Sequence, residues 1–273
     1  MPGDPDLLLH EAEVKAEIAT KYRAQLDAMA ALHDAVNSML TAGSWTYGKP
    51  GLDRVVMETM MGLLTKAGKT FRSIQILCER GLHEDADALV RVLMETTVAV
   101  LFILQKKPRE RARIYQAHGI AQSIKMLNDW KRTPGLKRKA TKKVITQATD
   151  ALADWTNTLP AGTDVKHHWS GKRSLLEAVR ALGADVMYAT LYRLTSSITH
   201  ASDFGAHFEI ESASDDLIWQ IEPRVQGFEA PSYAARELLW NLANRIDGRL
   251  GLGFSATLAP HKLSRTEVQK GLK

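Results

Sequence analysis

The chain of 273 residues contains a single cysteine, Cys78, and only 7% of its residues are aromatic. One thiol cannot form an intrachain disulfide, which excludes a small scaffold stabilised by disulfides. Because Cys78 lies among apolar residues in a stretch with helical periodicity, we expect it to be a buried structural thiol. The N-terminal residues lack the basic region and the long apolar core of a secretory signal. Both observations favour a cytoplasmic protein.

Long apolar runs are also scarce. The most apolar segment, residues 88–104, is about 17 residues long and carries Arg91 and Glu95 in its first two turns. A membrane span needs about 20 apolar residues, and charged groups inside it are costly. We therefore expect this segment to be a helix in the protein core, and we expect no membrane partner.

Motifs for metals, cofactors and common nucleophiles are missing as well. The chain has no His-Glu-x-x-His sequence and no paired Cys and His spacing. It also lacks a glycine-rich phosphate loop, a dinucleotide-binding fingerprint and a Gly-x-Ser-x-Gly turn. We therefore expect neither a metal nor a cofactor.

Acidic residues are absent from one stretch of the chain, residues 131–149. The whole sequence has 36 Lys and Arg against 31 Asp and Glu, a net charge of +5. Seven basic residues fall within this stretch, so the basic character is local. They are Lys131, Arg132, Lys137, Arg138, Lys139, Lys142 and Lys143.

These basic residues have helical spacing. Arg138 and Lys142 are four residues apart, and Lys139 and Lys143 repeat that spacing, which predicts two neighbouring basic ridges on one helix. Such ridges can follow the phosphate backbone of a nucleic acid and favour RNA as a partner. An acidic protein partner and a merely solvated surface are the alternatives.

Hydrophobic periodicity predicts a mainly α protein, a bundle of about seven to nine helices with one small β-hairpin near residues 207–222. A long N-terminal helix within residues 1–45 would serve dimerisation or partner binding. Residues 52–250 would form the helical core domain, and residues 251–273 a tail. Helices are predicted at residues 4–42, 52–80, 83–104, 108–130, 136–158, 172–182, 184–201 and 231–250.

Arg193 and His200 are seven residues apart on a predicted helix that also carries Tyr192 and Ser196, so Arg193 and His200 project from one face. A histidine can exchange protons with a ribose hydroxyl, and an arginine can stabilise charge on a phosphate. These four residues are therefore the predicted catalytic set of a metal-independent endoribonuclease. His118 has a similar spacing from Arg111 and Arg113, and for every such pair a structural role is the alternative.

Arg91 and Glu95 lie four residues apart on the most apolar helix and share a face. They either form a structural ion pair or line a polar pocket, because charged groups among apolar neighbours need partners. The set predicted for this pocket is Arg91, Glu95, Arg113 and His118. A small-molecule enzyme with a pocket lined by Arg91, Glu95, Tyr192 and His200 is a further alternative.

Three runs carry a family resemblance: RSIQILCERGLHEDADALVRVLMETTVAVLFIL, RERARIYQAHG and YRLTSSITH. They resemble the bacterial proteins of domain of unknown function 5677 over roughly residues 71–207, which implies a helical domain and little about chemistry. The matching signature positions are Arg72, Arg91, Glu95, Arg113, Tyr115, Tyr192, Ser196 and His200.

A more distant likeness is to the HEPN superfamily, with Arg193 and His200 as counterparts of its R-x4-6-H motif. This likeness implies a helical bundle that is often dimeric and that binds or cleaves RNA as a toxin or in phage defence. The alternative is a non-catalytic interaction or sensor protein whose Arg, Glu and His network is structural.

Overall fold

Helices account for most of the chain, as the periodicity predicted. The computed structural model describes residues 5–42, 53–133, 135, 142–172, 174–185, 189, 208–210, 217–219, 223–264 and 266–267. Within these residues it contains nine α-helices, a short 3-10 helix at Ala259–His261 and two short strands. The α-helices are α1 Pro5–Lys21, α2 Arg23–Thr41, α3 Arg54–Glu79, α4 His83–Gln105, α5 Pro108–Arg132, α6 Lys142–Thr156, α7 Leu175–Leu182, α8 Glu229–Leu250 and α9 Ser255–Leu258.

The chain forms two compact units, each built from separate stretches of sequence. Unit 1 comprises Met1–Ser44, Leu63–Thr97 and Val186–Lys273, and unit 2 comprises Trp45–Gly62 and Val98–Asp185. Two of the boundaries fall inside helices α3 and α4. No linker composition marks these boundaries, because a continuous helix carries the chain from one unit to the other.

In unit 1, the single N-terminal helix predicted for residues 4–42 is instead two helices, α1 and α2. The break is at Tyr22, whose φ of −113° and ψ of 23° depart from helical values. Its ring stacks on Phe228 with centroids 4.3 Å apart. The apolar periodicity hid the break because Tyr22 N–H still donates to the Ile18 carbonyl and Leu26 N–H to that of Tyr22.

Helix α2 packs into the core of unit 1. Its side chains Met29, Leu32, Val36 and Met39 are fully buried, and the helix contacts α8 and α9. This burial explains the apolar stripe of the helix. The role of residues 1–45 in dimerisation or partner binding stays a prediction.

The turn between α3 and α4 lies where the sequence places the end of one predicted helix and the start of the next. Gly81 ends α3 with a φ of +78°, a conformation that residues with a side chain rarely adopt. Its carbonyl accepts a 3.1 Å hydrogen bond from the backbone N–H of Arg224. A Cβ at position 81 would lie 2.8 Å from the Arg224 carbonyl oxygen and 2.8 Å from Val14 Cγ1. Glycine is therefore required both by the turn and by the packing.

Helix α4 is a core helix, as its composition predicted. Val90, Leu93 and Met94 are buried in the part of the helix that belongs to unit 1, and Val98 and Ile103 in the part that belongs to unit 2. No helix within the described residues is long and apolar enough to cross a membrane. The thiol of Cys78 on α3 is also buried as expected, and burial raises its pKa.

Helices α5 and α6 form an antiparallel pair in unit 2. Arg113 near the start of α5 donates to the hydroxyl of Thr158, which follows the end of α6. Helix α6 begins at Lys142, and residues 136–141 of the helix predicted here lie outside the described residues. A small apolar cluster joins the two helices and the following loop: Ile114, Ala117, Leu152, Trp155, Leu159 and Val165.

Two strands lie in the range predicted for the hairpin. β1 (Phe208–Ile210) pairs antiparallel with β2 (Leu217–Trp219), with Glu209 opposite Ile218. Residues 211–216, which would form the connecting turn, lie outside the described residues. The complete hairpin therefore stays a prediction.

The substitution Gly81→Ala tests the α3–α4 turn. We expect it to lower the free energy of unfolding by about 2 kcal/mol or more, because both the positive φ and the close backbone contacts oppose a Cβ. Gly62→Ala is the matched control, since Gly62 lies in α3 with nothing within 4 Å of the added Cβ. We expect this control to stabilise by roughly 0.5–1 kcal/mol. Chemical denaturation measures both, and equal effects would contradict the assignment.

Candidate nucleic-acid interface

Charge is unevenly divided between the two units. Unit 2 contains 19 Lys and Arg against nine Asp and Glu, whereas unit 1 contains 17 against 22. Unit 2 therefore carries a net charge of +10 and unit 1 one of −5. The positive excess found in the sequence belongs entirely to unit 2. An anionic partner would be attracted to that unit.

The basic turn consists of Lys131 and Arg132 at the end of α5 and Lys142 and Lys143 at the start of α6. All four side chains are exposed. No ion pair to any of them occurs within the described residues. Lys137, Arg138 and Lys139 lie outside those residues, so the predicted ridges they would form with Lys142 and Lys143 stay a prediction.

The positions of Lys142 and Lys143 do not stabilise α6, because of the direction of the helix dipole. Cations are favourable at the C-terminal end of a helix, where Lys131 and Arg132 lie, and unfavourable at the N-terminal end. Lys142 and Lys143 nevertheless occupy the first turn of α6, which contains no acidic residue. Two like charges beside the positive end of a dipole leave an electrostatic cost that a bound anion would offset.

A cavity of about 740 Å³ lies at the opposite end of the α5–α6 pair. Two of its cations are already paired: Lys107 Nζ lies 3.0 Å from Glu110 Oε2, and Arg109 Nε lies 3.0 Å from Asp53 Oδ2. The lining residues are Lys107, Pro108, Arg109, Glu110, Arg113, Asn157, Thr158, Leu159 and Pro160.

Arg113 is the unneutralised cation of this cavity, which we call the Arg113 cavity. Its guanidinium donates to the Thr158 hydroxyl and lies 5.7 Å from the centre of the Trp155 ring. Its Nε is buried without a partner, and no carboxylate pairs with it among the described residues. A guanidinium in this state is suited to a phosphate, which can accept two of its N–H groups at once.

Backbone strain is located at the same cavity. Lys107, which precedes α5, has a φ of 48°, the one positive value for a residue other than glycine among those described. This conformation costs roughly 1–2 kcal/mol. The left-handed backbone at Lys107 turns the chain from α4 into α5. Lys107, Arg109 and Arg113 all line the Arg113 cavity.

Arg111, the other arginine spaced from His118, has a different role. Its guanidinium lies 3.8 Å from the centre of the Phe102 ring and donates to the Phe102 carbonyl and to Gln105 Oε1. It thereby satisfies a carbonyl in the last turn of α4, which the helix leaves without a partner. Burial lowers the pKa of Arg111. These contacts favour the structural interpretation of Arg111.

His118 contacts a loop of unit 2 that contains a second histidine. Its Nδ1 donates to the Val165 carbonyl over 3.0 Å. In the same loop, His168 Nδ1 accepts a hydrogen bond from Ser170 N–H, and the His168 ring lies 4.7 Å from that of Trp169. Burial, and then the charge of His118, lower the pKa of His168. His118 thus holds the loop and affects the proton affinity of its neighbour.

Arg91 and Glu95 on α4 form an ion pair within unit 1, which is one of the two arrangements considered from the sequence. Arg91 Nε lies 3.3 Å from Glu95 Oε1, and the side chains are 13% and 41% exposed, respectively. The Arg91 guanidinium is therefore mostly buried, and its carboxylate partner remains accessible to water. A polar pocket built from Arg91, Glu95, Arg113 and His118 stays a prediction.

The predicted catalytic residues Tyr192, Arg193, Ser196 and His200 lie outside the described residues, so their geometry stays a prediction. Conversely, the Arg113 cavity and its residues Lys107 and Arg109 were not predicted from the sequence. The signal was present as the sequence KKPRERAR at residues 106–113, in which five cations surround the start of a helix.

A family model described as "Family of unknown function (DUF5677)" matches residues 57–216 of the chain. This match confirms the first resemblance seen in the sequence. No curated protein and no solved structure matches the chain. The likeness to HEPN proteins therefore stays a hypothesis.

Arg91 is more buried than Glu95, so replacing each of them by alanine should cost a different free energy of unfolding. We expect Arg91→Ala to lower the free energy of unfolding by about 1–3 kcal/mol, because it removes a mostly buried side chain and its hydrogen bond to Glu95. We expect Glu95→Ala to cost less than about 1 kcal/mol, since its carboxylate remains partly hydrated. Urea titration of both variants checks this, and a larger loss for Glu95→Ala would contradict it.

Proposed function

The chain belongs to the DUF5677 family, whose function is unknown, and we propose that it binds RNA through the basic surface of unit 2. The observation that carries this proposal is the charge of +10 on unit 2 beside −5 on unit 1. A polyanion gains free energy on such a surface because its condensed counterions are released.

The geometry of α5 supports an oligonucleotide as the ligand. Arg113 and Lys131 are 18 residues apart, which is five helical turns, so they project from the same face about 27 Å apart. The Arg113 cavity and the basic turn thus provide two sites for phosphates on one helix. Two exposed lysines lie between them along the helix axis: Lys125 on α5, which projects about 120° away from that face, and Lys166, whose carbonyl accepts a hydrogen bond from Gln122.

These contacts would be made to the phosphate backbone. Lysine and arginine that meet phosphates position a nucleic acid without reading its bases. Two aromatic residues of unit 2, Tyr115 and Trp169, pack against each other, with ring centroids 5.9 Å apart. We therefore propose binding with little preference for sequence.

The proposal extends to cleavage of the bound RNA by Arg193 and His200. His200 would exchange protons as general acid and base, and Arg193 would stabilise charge on the phosphate. Ser196 and Tyr192 would orient these groups by hydrogen bonds. The support for this step is the spacing in the sequence and the likeness to HEPN proteins, which also suggests a dimer acting as a toxin or in phage defence.

A second candidate function is a non-catalytic interaction or sensor protein. It is favoured by the observed contacts of Arg91, Arg111 and His118, each of which bonds to a carboxylate or carbonyl within its own unit. Under this alternative the Arg, Glu and His network stabilises helices. RNA binding without turnover would favour it.

Neutralising the basic turn tests RNA binding. We expect Lys142→Gln with Lys143→Gln to weaken binding of a single-stranded RNA roughly tenfold at low salt, because two phosphate contacts are lost. The slope of log K against log salt should fall by about 1.4. The matched control is Lys66→Gln with Lys69→Gln, an equal charge change at exposed positions of α3 in unit 1. Fluorescence anisotropy measures both, and equal losses would refute the assigned surface.

Cleavage is tested separately, with EDTA present to remove metal ions. We expect the wild-type protein to degrade RNA under these conditions, and Arg193→Ala and His200→Ala each to lower the rate at least 100-fold with RNA affinity retained. Gel analysis of labelled RNA provides the measurement. Turnover that is equal in wild type and both variants would exclude these catalytic residues, and RNA binding without any turnover would support the non-catalytic alternative.

A further inference from the structure

The Arg113 guanidinium is held in a fixed orientation at the wall of the Arg113 cavity. It donates to the Thr158 hydroxyl, and this hydroxyl in turn donates to the Trp155 carbonyl over 3.0 Å. The Trp155 ring lies 5.7 Å from the guanidinium carbon. A guanidinium has five N–H donors, and the bond to Thr158 uses one of them. Arg113 is therefore positioned before any ligand binds and keeps donors for one.

The lining of this cavity has an excess of positive charge. Its cations are Lys107, Arg109 and Arg113, and its one carboxyl group is that of Glu110. Glu110 pairs with Lys107, and Arg109 pairs with Asp53, which is not among the lining residues. No carboxylate pairs with Arg113 in the part of the chain that the structure describes. An anion is therefore the complementary ligand, and a doubly charged anion gains more than a singly charged one.

Asn157 adds a neutral donor to the same cavity. Its side chain is exposed, and its amide makes no hydrogen bond to any of the described residues. An asparagine amide can donate two hydrogen bonds. The cavity thus offers a phosphate both a charged fork and an uncharged donor.

The size and the apolar lining of the cavity fit more than a bare phosphate. A volume of about 740 Å³ lies within the range of cavities that hold small organic groups. Pro108, Leu159 and Pro160 give the lining an apolar part that a sugar or a base can contact. A strand that ends in a cavity need not leave it again, whereas the interior of a strand must pass through. The basic turn differs, because its four exposed side chains suit a strand that passes over them.

We propose that the Arg113 cavity binds the terminal phosphate of an RNA strand, with Arg113 as its main charged partner and Asn157 as a second donor. This inference rests on the RNA binding proposed above and names the part of the RNA that this cavity recognises. A terminal phosphate carries about 1.5 to 2 negative charges at neutral pH, whereas an internal phosphate carries one. The basic turn, about 27 Å away along α5, would contact internal phosphates of the same strand.

Oligonucleotides of one sequence with different ends test the proposal. One carries a 5′-phosphate, one a 3′-phosphate and one hydroxyls at both ends, and 2′-O-methylation of all three prevents cleavage through the 2′-hydroxyl. We expect at least one phosphorylated strand to bind the full chain roughly tenfold more tightly than the strand without a terminal phosphate. Fluorescence anisotropy measures the affinities and identifies the end. Equal affinities of the three strands would overturn the proposal.

Two variants test the assigned residues. We expect the preference for a terminal phosphate to disappear in Arg113→Gln, which removes the charge. We expect it to fall severalfold in Asn157→Asp, which adds a negative charge at an exposed position and leaves the chain folded. Gln147→Glu makes the same charge change at an exposed position of α6 outside the cavity and should keep the preference. An unchanged preference in Asn157→Asp, or an equal loss in Gln147→Glu, would contradict the assignment.

Uridine monophosphates separate the cavity from RNA binding as a whole. Isothermal titration with uridine 5′-monophosphate and uridine 3′-monophosphate, with uridine as the neutral control, reports on the phosphate site alone. Strands that bind without preference for their ends would refute the terminal-phosphate site and leave RNA binding intact. If no strand binds but a monophosphate binds the wild type and not Arg113→Gln, the RNA proposal fails and the phosphate site stands. Absence of both kinds of binding would overturn both.

Discussion

Unit 1 depends on the contact between the α3–α4 turn and residue 224. The Gly81 carbonyl accepts the Arg224 N–H, and His83 and Glu84 bind the carbonyl and the guanidinium of the same residue. Three bonds to one residue connect positions about 140 apart in sequence. These bonds close a long loop of the chain, which costs conformational entropy. Because all three bonds are made to one ordered segment, this entropy is lost once for all three. This contact also places Phe228, whose ring meets the His83 ring edge-on. Phe228 in turn stacks on Tyr22, the residue at which α1 meets α2.

Charge segregation is the second organising feature. The family match covers residues 57–216, which include most of the basic unit as well as parts of unit 1. Within unit 2 the cations fall into two kinds. Arg109 and Arg111 are held by Asp53 and by the end of α4. Arg113 and the basic turn have no acidic partner among the described residues, so they are the groups on which a polyanion would act.

Much of the helical architecture could be predicted, because glycine and proline mark helix ends directly. Gly81, Pro108 and Gly183 lie at or next to helix ends close to those predicted. The break at Tyr22 could not be predicted, since no helix-breaking residue marks it and its cause is stacking on a ring more than 200 residues away. The two-unit division was equally hidden, because two of its boundaries lie inside α3 and α4.

Contacts between residues close together in sequence could be predicted. The Arg91–Glu95 pair could be inferred because positions four apart on a helix are neighbours. The Arg113 cavity could not, because its lining comes from segments 107–113 and 157–160 meeting in space. The unpaired state of Arg113 was likewise invisible, since it depends on which carboxylates its neighbours occupy.

The two lysines at the start of α6 make that helix responsive to its ionic surroundings. The adjacent positive end of the helix dipole makes both charges unfavourable in the first turn of the free protein. A polyanion that binds there would relieve this effect, so binding and helix formation are thermodynamically linked and each strengthens the other. The beginning of α6 would then fray at low salt and become ordered on contact with a nucleic acid. Affinity would thus include the free energy of completing a helix.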